Sequence, residues 1–332
     1  MHLRPDLLDP FTDRRRVPSV LLVQEPGLGL GALGDALEDL GMACDTVEAP
    51  TDLPGRARSA RPDVVLLDAE TGGSGLVHAV ERLRRDHRTV ATPVVAIIDG
   101  PDPAVLARID AIGVDDYVVR PYAPADLRDR LVFAVRSGAA RAGLDPLTDL
   151  PGRRTLTTSM RRRMADAEPF AALWADIDGL RPFNERHGTV RGDAAISALA
   201  KATIAAVDAS DGEDRLITHL GGDDVVVLCA PDEAETLGLG IVARFERAVA
   251  DLHPPEEVDR GYAVAPDREG RPRVHETLSV SVGIAEWRPD REPSPTVVLD
   301  AAAEVCAHVK QRPGLSLAFD RRLHDQGPWA RR

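Results

Sequence analysis

The chain has 332 residues, which is long enough for two domains, and its hydrophobic content of 43% is sufficient for a core in each. Its 54 acidic and 41 basic residues give a formal net charge of −13, which argues against non-specific binding to nucleic acid or to an anionic membrane. Lysine occurs only at Lys201 and Lys310, so bound phosphates would meet arginine, a metal ion, backbone N–H groups or Lys310.

The cysteines and the hydropathy pattern indicate the compartment. Cys44, Cys229 and Cys306 are far apart and lie in apolar surroundings, as buried thiols do in a reducing cytosol, which disfavours a disulfide framework or a zinc site. Residues 1–16 are charged, and no run reaches the length of about 18 apolar residues that a membrane span needs. We therefore expect a cytoplasmic protein with neither a membrane nor a nucleic acid as partner.

The first half, which we place at residues 17–137, alternates short apolar runs with amphipathic segments. The predicted strands are Ser19–Val23, Ala43–Val47, Val64–Asp68, Val94–Ile98 and Asp116–Val119. The predicted helices span residues 28–40, 53–60, 75–85, 103–112 and 124–137. Five β-α units of this length predict an α/β domain with a doubly wound, five-stranded parallel sheet of the flavodoxin type.

Chemistry in such a sheet lies at the carboxyl ends of the strands, which here carry Gln24-Glu25, Asp68 and Arg120. On residues 20–25, 65–68 and 116–121, this half resembles the receiver domain of bacterial response regulators. The resemblance implies that Asp68 is the phosphoacceptor and that a histidine kinase or another signalling protein is a partner.

Three positions depart from the receiver pattern. One carboxylate of the acidic pair is an amide at Gln24, the hydroxyl position is Ile98, and the lysine position is Arg120. A weakened Mg²⁺ site would lose much of the charge neutralisation that phosphoryl transfer needs. Two alternatives therefore stay open: Asp68 is phosphorylated, or the domain is a pseudo-receiver for dimerisation or docking in which Asp68 pairs with Arg120.

A short connector is predicted at residues 138–147, and a second domain at residues 145–323. Its mixture of helices and antiparallel hairpins predicts an α+β sheet of the polymerase-palm or ferredoxin-like type, packed on one side by helices. The predicted strands are residues 170–177, 215–219, 225–229 and 278–285. The predicted helices are residues 155–164, 194–206, 234–252 and 296–311, with another beginning near Pro182.

Carboxylates gather at two points of this second half. Asp176 lies at the end of a predicted strand, and Asp223 and Asp224 follow the glycine pair Gly221-Gly222, which permits a positive φ at a hairpin tip. If the two strands are neighbours, these acids converge and repel one another unless a cation lies between them. Oxygen ligands favour Mg²⁺ or Mn²⁺, and substrate phosphates usually complete the coordination, which indicates a nucleoside triphosphate. The alternative is that the acids are capping residues and solvated turns.

From Asp145 to about Phe319 the chain resembles the GGDEF domains of diguanylate cyclases. The resemblance rests on residues 145–154, 176–184, 188–193, 221–225 and 279–285. It implies an enzyme that makes cyclic di-GMP from two molecules of GTP with Mg²⁺ or Mn²⁺. It also implies a homodimer, because each domain binds one GTP.

The resemblance assigns a role to individual residues. Asp176, the carbonyl of Ile177 and Asp223 would hold the metal, and Asp224 stands where the family has a glutamate that assists metal binding or accepts the 3′-hydroxyl proton. Asp223 and Asp224 are thus the predicted catalytic residues. The predicted substrate-binding residues are Asn184 and Asp193 at the guanine edge, Gly179, Phe183, Gly221 and Gly222 near the phosphates, and Lys310 at the β- and γ-phosphates.

Departures from the family leave two functions open. Asp224 is one methylene shorter than glutamate, Val225 replaces an aromatic residue, and Gly314 stands at a phosphate-binding arginine position. Gly212 and Arg215 occupy the product-inhibition positions, so feedback by that route should be absent. The protein is either a diguanylate cyclase regulated or dimerised by a degenerate receiver domain, or an inactive GGDEF protein that acts as a GTP-binding or protein-interaction module.

Overall fold

The structure is a computed structural model that describes residues 19–23, 30–68, 73–210, 212–266, 271–290, 294–312 and 314–320. The chain divides between Gly143 and Leu144 into two compact units, at a point inside the predicted connector. Within the described ranges, no helix has both the length and the apolar character needed to cross a bilayer.

The first unit is a five-stranded parallel sheet with the order β2-β1-β3-β4-β5, which confirms the doubly wound α/β prediction. Its strands are β1 (Ser19–Val23), β2 (Ala43–Val47), β3 (Val64–Asp68), β4 (Val94–Ile98) and β5 (Asp116–Val119). Its helices are α1 (Leu30–Asp39), α2 (Leu53–Ala60), α3 (Gly73–Leu83), α4 (Pro103–Ile112) and α5 (Pro124–Ala142).

The sheet of this unit is covered on both faces. All five residues of β3 and all five of β4 are buried, which is why these strands are unbroken apolar runs without alternation. Alternate residues of the strands enter separate core clusters, Val65 and Leu67 in one and Val64 and Leu66 in the other. The carboxyl ends of the strands are therefore the part of the sheet left for chemistry.

The second unit is an α+β domain built on a five-stranded sheet with the order β12-β11-β6-β8-β7, in which only β12 runs parallel to its neighbour. Its strands are β6 (Phe170–Asp178), β7 (Leu216–Gly221), β8 (Asp224–Cys229), β11 (Ser279–Trp287) and β12 (Leu317–Phe319), with a separate hairpin of β9 (Tyr262–Pro266) and β10 (Pro272–Glu276). Its helices are α6 (Arg153–Ala165), α7 (Leu180–His187), α8 (Thr189–Asp208), α9 (Ala234–Val249), α10 (Pro255–Arg260) and α11 (Pro295–Val309).

Helices cover both faces of this second sheet, so the expectation of one-sided packing was wrong. Val282 and Ile284 of β11 enter the core cluster formed with α8 and α9. Gly283, between them, faces the other way, and a Cβ there would overlap the Ala302 carbonyl of α11. The glycine thus lets α11 approach the sheet closely enough to carry its last residues towards the end of β6.

Several elements differ from the prediction. The helix α5 continues to Ala142 and takes up the first half of the predicted connector, and α8 begins at Thr189, five residues before its predicted start. The segment from α10 to β10 and the short strand β12 were not predicted at all. The earlier start of α8 places Asp193 on a helix, close in sequence to the end of α7.

Candidate active site

The two acidic stretches converge, as predicted. Strand β6 runs antiparallel to β8 with Ala175 opposite Val225, so the end of β6 lies beside the turn that joins β7 to β8. Gly221 and Gly222 in this turn have φ values of +112° and +65°, a region that favours glycine. The turn therefore brings Asp223 and Asp224 back to the end of the strand that carries Asp176.

Asp223 reports how close the carboxylates are. Its pKa is raised to about 7, first by burial, then by a hydrogen bond with Asp176 and by the negative charge of Asp176, while Lys310 acts in the opposite direction. Two carboxylates joined by a hydrogen bond share a proton when no cation lies between them. The pair can exchange that proton for a cation near neutral pH.

Lys310 lies directly on this acidic site. Its Nζ atom is 2.8 Å from Asp176 Oδ1 and 3.7 Å from Asp178 Oδ1, and it donates a hydrogen bond of 3.3 Å to the Ile177 carbonyl. Burial lowers the pKa of Lys310, but the bond to Asp176 and the surrounding acids outweigh burial and raise it. The ammonium group thus contacts the Asp176 and Ile177 oxygen atoms that the resemblance assigned to a metal ion. The resemblance had instead placed Lys310 at the β- and γ-phosphates of the substrate.

The donor set fits Mg²⁺ or Mn²⁺. Carboxylate and carbonyl oxygens are the ligands that these hard cations prefer, and a protonated Asp223 becomes a further ligand once its proton leaves. Asp178 belongs less to this set, because its carboxylate accepts hydrogen bonds of 2.8 and 2.9 Å from the hydroxyl groups of Ser279 and Ser281. Asp176, the Ile177 carbonyl and Asp223 are therefore the residues best placed to hold a cation.

Asp224 has a partner that the sequence analysis did not identify. The indole Nε1 of Trp174 donates a hydrogen bond of 2.8 Å to Asp224 Oδ1. Burial raises the pKa of Asp224 and the charge of Asp176 adds to this effect, whereas the bond from Trp174 opposes it, and the net shift is upward. Trp174 lies two residues before Asp176 and thus on the same face of β6, which is the sequence signal that could have suggested the contact.

His219 connects the Gly221-Gly222 turn to the first residues of the second unit. This buried side chain donates from Nε2 to the Gly222 carbonyl at 3.0 Å, and its Nδ1 lies 3.1 Å from both Asp145 Oδ1 and Thr148 Oγ1. Burial alone would raise the pKa of Asp145, but the N–H groups of Leu147 and Thr148 together with His219 lower it. The histidine therefore links the glycine turn to Asp145 and Thr148.

The predicted guanine-binding residues lie at α7 and α8. Gly179, with φ of +75°, leads into α7, where Phe183 is buried and Asn184 follows it. Among the described residues, Asn184 Oδ1 is a buried oxygen without a hydrogen-bond partner. Gly192 of α8 lies against it, since a Cβ at this position would overlap the Asn184 amide, while Asp193 is exposed. An unpartnered buried acceptor is costly unless a ligand donor completes it.

The family comparison agrees with this geometry. The family model described as diguanylate cyclase, GGDEF domain, matches residues 142–314. The chain belongs to the GGDEF family.

Individual relatives of this GGDEF protein are distant. The response regulator PleD from Caulobacter vibrioides is 26% identical over 259 residues, which cover 73% of this chain and 53% of PleD, so the chain spans about half the length of that relative. The GGDEF domain of TpbB from Pseudomonas aeruginosa has 24% identity and a TM-score of 0.39, covering 53% of this chain and 93% of that structure. The receiver domain of the sensor histidine kinase PA1611 from the same species has 19% identity and a TM-score of 0.34, covering 36% of this chain and 98% of that structure.

The positions that correspond to product inhibition have a structural use in this GGDEF protein. Arg215 is buried, pairs with Glu233 at 2.6 Å and donates to the Val207 carbonyl at 2.9 Å. Gly212 leaves room for the guanidinium, since a Cβ there would overlap it. Arg215 is buried and already paired, so it is not presented to a bound product. The absence of product inhibition at this site stays a prediction, and this pairing is a structural reason for it.

The receiver-like unit of the protein has a second ion-paired site. Asp68, at the end of β3, is only 6% exposed and accepts a bond of 2.7 Å from Arg120, which also donates to Asp99 at 2.9 Å. This is the pairing expected of the pseudo-receiver alternative. Ile98 is fully buried, and Gln24-Glu25 lie outside the described residues.

Proposed function

We propose that this protein is a diguanylate cyclase that makes cyclic di-GMP from two molecules of GTP, and that its receiver-like unit regulates or dimerises it. The observation that carries the proposal is the convergence of Asp176 and Asp223 at neighbouring strand ends, where Asp223 has a pKa of about 7 and Lys310 already lies among the oxygens. Such a group of acids is suited to a divalent cation with a triphosphate. GTP is a cytoplasmic nucleotide, and the proposal therefore places the protein there.

In the proposed reaction, two GTP-loaded domains of a homodimer face each other, and each 3′-hydroxyl attacks the α-phosphorus of the other GTP in line while pyrophosphate leaves. Bound Mg²⁺ or Mn²⁺ supplies neutralisation of the negative charge that develops on the transferring phosphate. Asp176, the Ile177 carbonyl and Asp223 are the residues that would hold the cation. Lys310 leaves Asp176 and pairs with the β- and γ-phosphates, which its flexible side chain allows.

Other residues accept the proton and recognise the nucleobase. Asp224, with a raised pKa and a position fixed by Trp174, accepts the proton of the 3′-hydroxyl. Asn184 and Asp193 bind the guanine edge, since a carboxylate accepts from the N1–H and 2-amino groups that adenine does not offer in this arrangement. Phe183 and the glycines Gly179, Gly221 and Gly222 leave the backbone open to the phosphates.

A second candidate function has its own support. Asp224 is one methylene shorter than the family glutamate and is already bonded to Trp174, and Asp68 is already paired with Arg120. Both features suit an inactive GGDEF protein that binds GTP or a protein partner and signals by contact. A shift of about an ångström in a catalytic group can cost on the order of 100-fold in rate.

The test is a turnover assay on the full chain with Mg²⁺ and GTP, with cyclic di-GMP measured by chromatography. Wild type should form product, Asp176→Asn and Asp223→Asn should not, and Asp251→Asn, which removes an exposed acid elsewhere, should behave as wild type. If no variant forms product while GTP still raises the thermal stability of the wild type, the second function stands. For the receiver-like unit, beryllofluoride that changes neither oligomeric state nor stability would exclude phosphorylation of Asp68 by a histidine kinase.

A further inference from the structure

A buried carboxylate lies behind the helix that carries the guanine-binding residues. Glu257 of α10 is 8% exposed, and its Oε1 atom forms an ion pair with Arg186 of α7. Its Oε2 atom is 3.4 Å from His253 Nδ1 and 3.9 Å from His187 Nε2. The α10 segment, which has no counterpart in the predicted elements, thus contacts the last turn of α7 through one acid.

The position of the proton on each histidine follows from its other contact. The backbone N–H of Leu278 donates to His253 Nε2 at 3.2 Å, so this nitrogen is an acceptor. A guanidinium nitrogen of Arg191 lies 3.3 Å from His187 Nδ1, and because a guanidinium can only donate, this nitrogen is also an acceptor. In each neutral ring the proton is therefore on the nitrogen that faces Glu257.

This proton arrangement argues against a metal ion at the same three residues. His187, His253 and Glu257 offer ligand atoms within 4.8 Å of one another, which is close enough for a shared ion. A metal would require the facing nitrogens to lose their protons, and each ring would then turn an N–H towards a group that is itself a donor. Two guanidinium groups, those of Arg186 and Arg191, would also repel the ion. The cluster is instead a carboxylate surrounded by three N–H donors.

The same cluster supports the guanine side of α7. The Phe183 ring lies with its centroid 4.6 Å from that of His187 and 5.0 Å from that of His253, so it is held between the two rings. Asn184, the next residue, carries the unpartnered buried oxygen that lies against Gly192. A change in the tilt of α7 would move Asn184 with Phe183.

We infer that Glu257 is a positioning residue for guanine recognition: through Arg186, His187 and His253 it fixes α7 in the orientation that presents Asn184 to the base. The inference rests on the proposed function, because it assumes that GTP binds at α7 and α8. It gives the α10 segment a use that the family resemblance did not assign.

Acid should weaken this arrangement. Burial lowers the pKa of His187, and the charges of Arg186 and Arg191 lower it further. Burial also lowers the pKa of His253, as do His187 and the same two arginines. Glu257 is the acid that faces both rings. A second proton on either ring would face the Leu278 N–H or the Arg191 guanidinium and break that contact. We therefore expect GTP affinity to be constant above pH ~7. It should decrease only when the pH drops below ~6.5, the ordinary pKa of histidine.

The experiment compares Glu257→Gln with Glu256→Gln, an exposed neighbour on the same helix, in the full chain. Calorimetry with Mg²⁺ and a non-hydrolysable GTP or ATP analogue should give about tenfold weaker GTP binding for Glu257→Gln and a smaller change for ATP, with Glu256→Gln equal to wild type. Mn²⁺ binding without nucleotide should be the same in all three proteins. Equal GTP affinity in the two variants would overturn the inference.

A second variant covers the case in which Glu257→Gln does not fold. His253→Gln cannot take up a proton at this position, so its GTP affinity should fall less between pH 7.5 and pH 5.5 than that of wild type, and the remaining decline should come from His187. A decline in GTP affinity equal to that of wild type would contradict the inference. A metal site would be indicated instead if Zn²⁺ raised the melting temperature of wild type but not of His253→Gln, and this result would also contradict the inference. If the wild type itself shows no preference for GTP, the proposed function fails with the inference, whereas normal preference with unaffected variants overturns the inference alone.

Discussion

Removal of the Asp223 carboxylate should stabilise the metal-free protein. Asp223 has a pKa of about 7 in the folded site, against an unperturbed value of 3.8. The folded state therefore binds more protons than the unfolded state between these values, and the free energy of unfolding falls as the pH rises through that window. At pH 8 Asp223 is ionised, and its burial and repulsion from Asp176 lower the free energy of unfolding. Asp223→Asn removes this destabilisation.

The size of the effect follows from the pKa shift. A shift of roughly three pKa units corresponds to ~4 kcal/mol, but Asp223 is only partly buried, so solvent screening reduces this to about 1–2 kcal/mol. For a unit of this size, that free energy corresponds to a rise of about 2–8 °C in melting temperature. At pH 4 the wild-type side chain is itself protonated, and the two proteins should melt together.

The assay is thermal unfolding of the full chain without metal, followed by tryptophan fluorescence. The first unit contains no tryptophan, whereas Trp174 and Trp287 lie on strands of the second unit. Asp251→Asn is the control, because it removes the same charge from an exposed position. Mn²⁺ with GTP should reverse the order by stabilising the wild type and not Asp223→Asn. A melting temperature for Asp223→Asn that equals wild type at pH 8, or exceeds it equally at pH 4 and pH 8, would refute the coupling of the two acids.

Three further substitutions test neighbouring parts of the site. Lys310→Met removes the ammonium group that lies among the predicted metal ligands. In calorimetry, Mn²⁺ should bind about fivefold more tightly without nucleotide, while GTP should bind more weakly. Weaker binding of both ligands would contradict the idea that Lys310 moves from the acids to the phosphates. Trp174→Phe keeps an aromatic side chain but loses the donor to Asp224, and it should lower kcat about tenfold with little change in KM, measured by product chromatography. An unchanged kcat would exclude a positioning role for the indole. Gly192→Ala should displace the Asn184 amide and weaken GTP binding at least tenfold in a folded protein, and normal affinity in calorimetry would remove Asn184 from the base site.

Local sequence pattern was sufficient where burial is complete. The strand limits of the first unit coincide with the predicted ones because parallel strands such as β3 and β4 are continuous apolar runs, bounded by polar or turn-forming residues. The convergence of Asp176 and Asp223 was predictable for a related reason: each acid follows directly on a recognisable strand or on a glycine turn, and only the adjacency of β6 and β8 had to be assumed.

Structure that depends on distant contacts was not predictable in this way. The segment from α10 to β10 lacks a long apolar run. It buries the acid Glu257, whose partners on α7 lie about 70 residues earlier in the chain. The bond between Trp174 and Asp224 depends on the register of β6 with β8, which no local pattern specifies. In both cases a polar side chain is stabilised by partners that only the fold supplies.

Each unit contains a basic side chain lying on an acidic site, but the two differ in how easily the base can leave. Arg120 is planar and donates to Asp68 and Asp99 at once, so its departure would expose two acids together. Lys310 is a single ammonium on a flexible chain, and the proton on Asp223 has already reduced the negative charge around it. Lys310 could therefore leave Asp176 when a divalent cation is bound and the Asp223 proton is released. A phosphoryl group at Asp68 would instead have to break the forked ion pair with Arg120 and would bring further negative charge. This asymmetry supports the proposal of a cyclase in the second unit and the alternative in which Asp68 of the first unit is not phosphorylated.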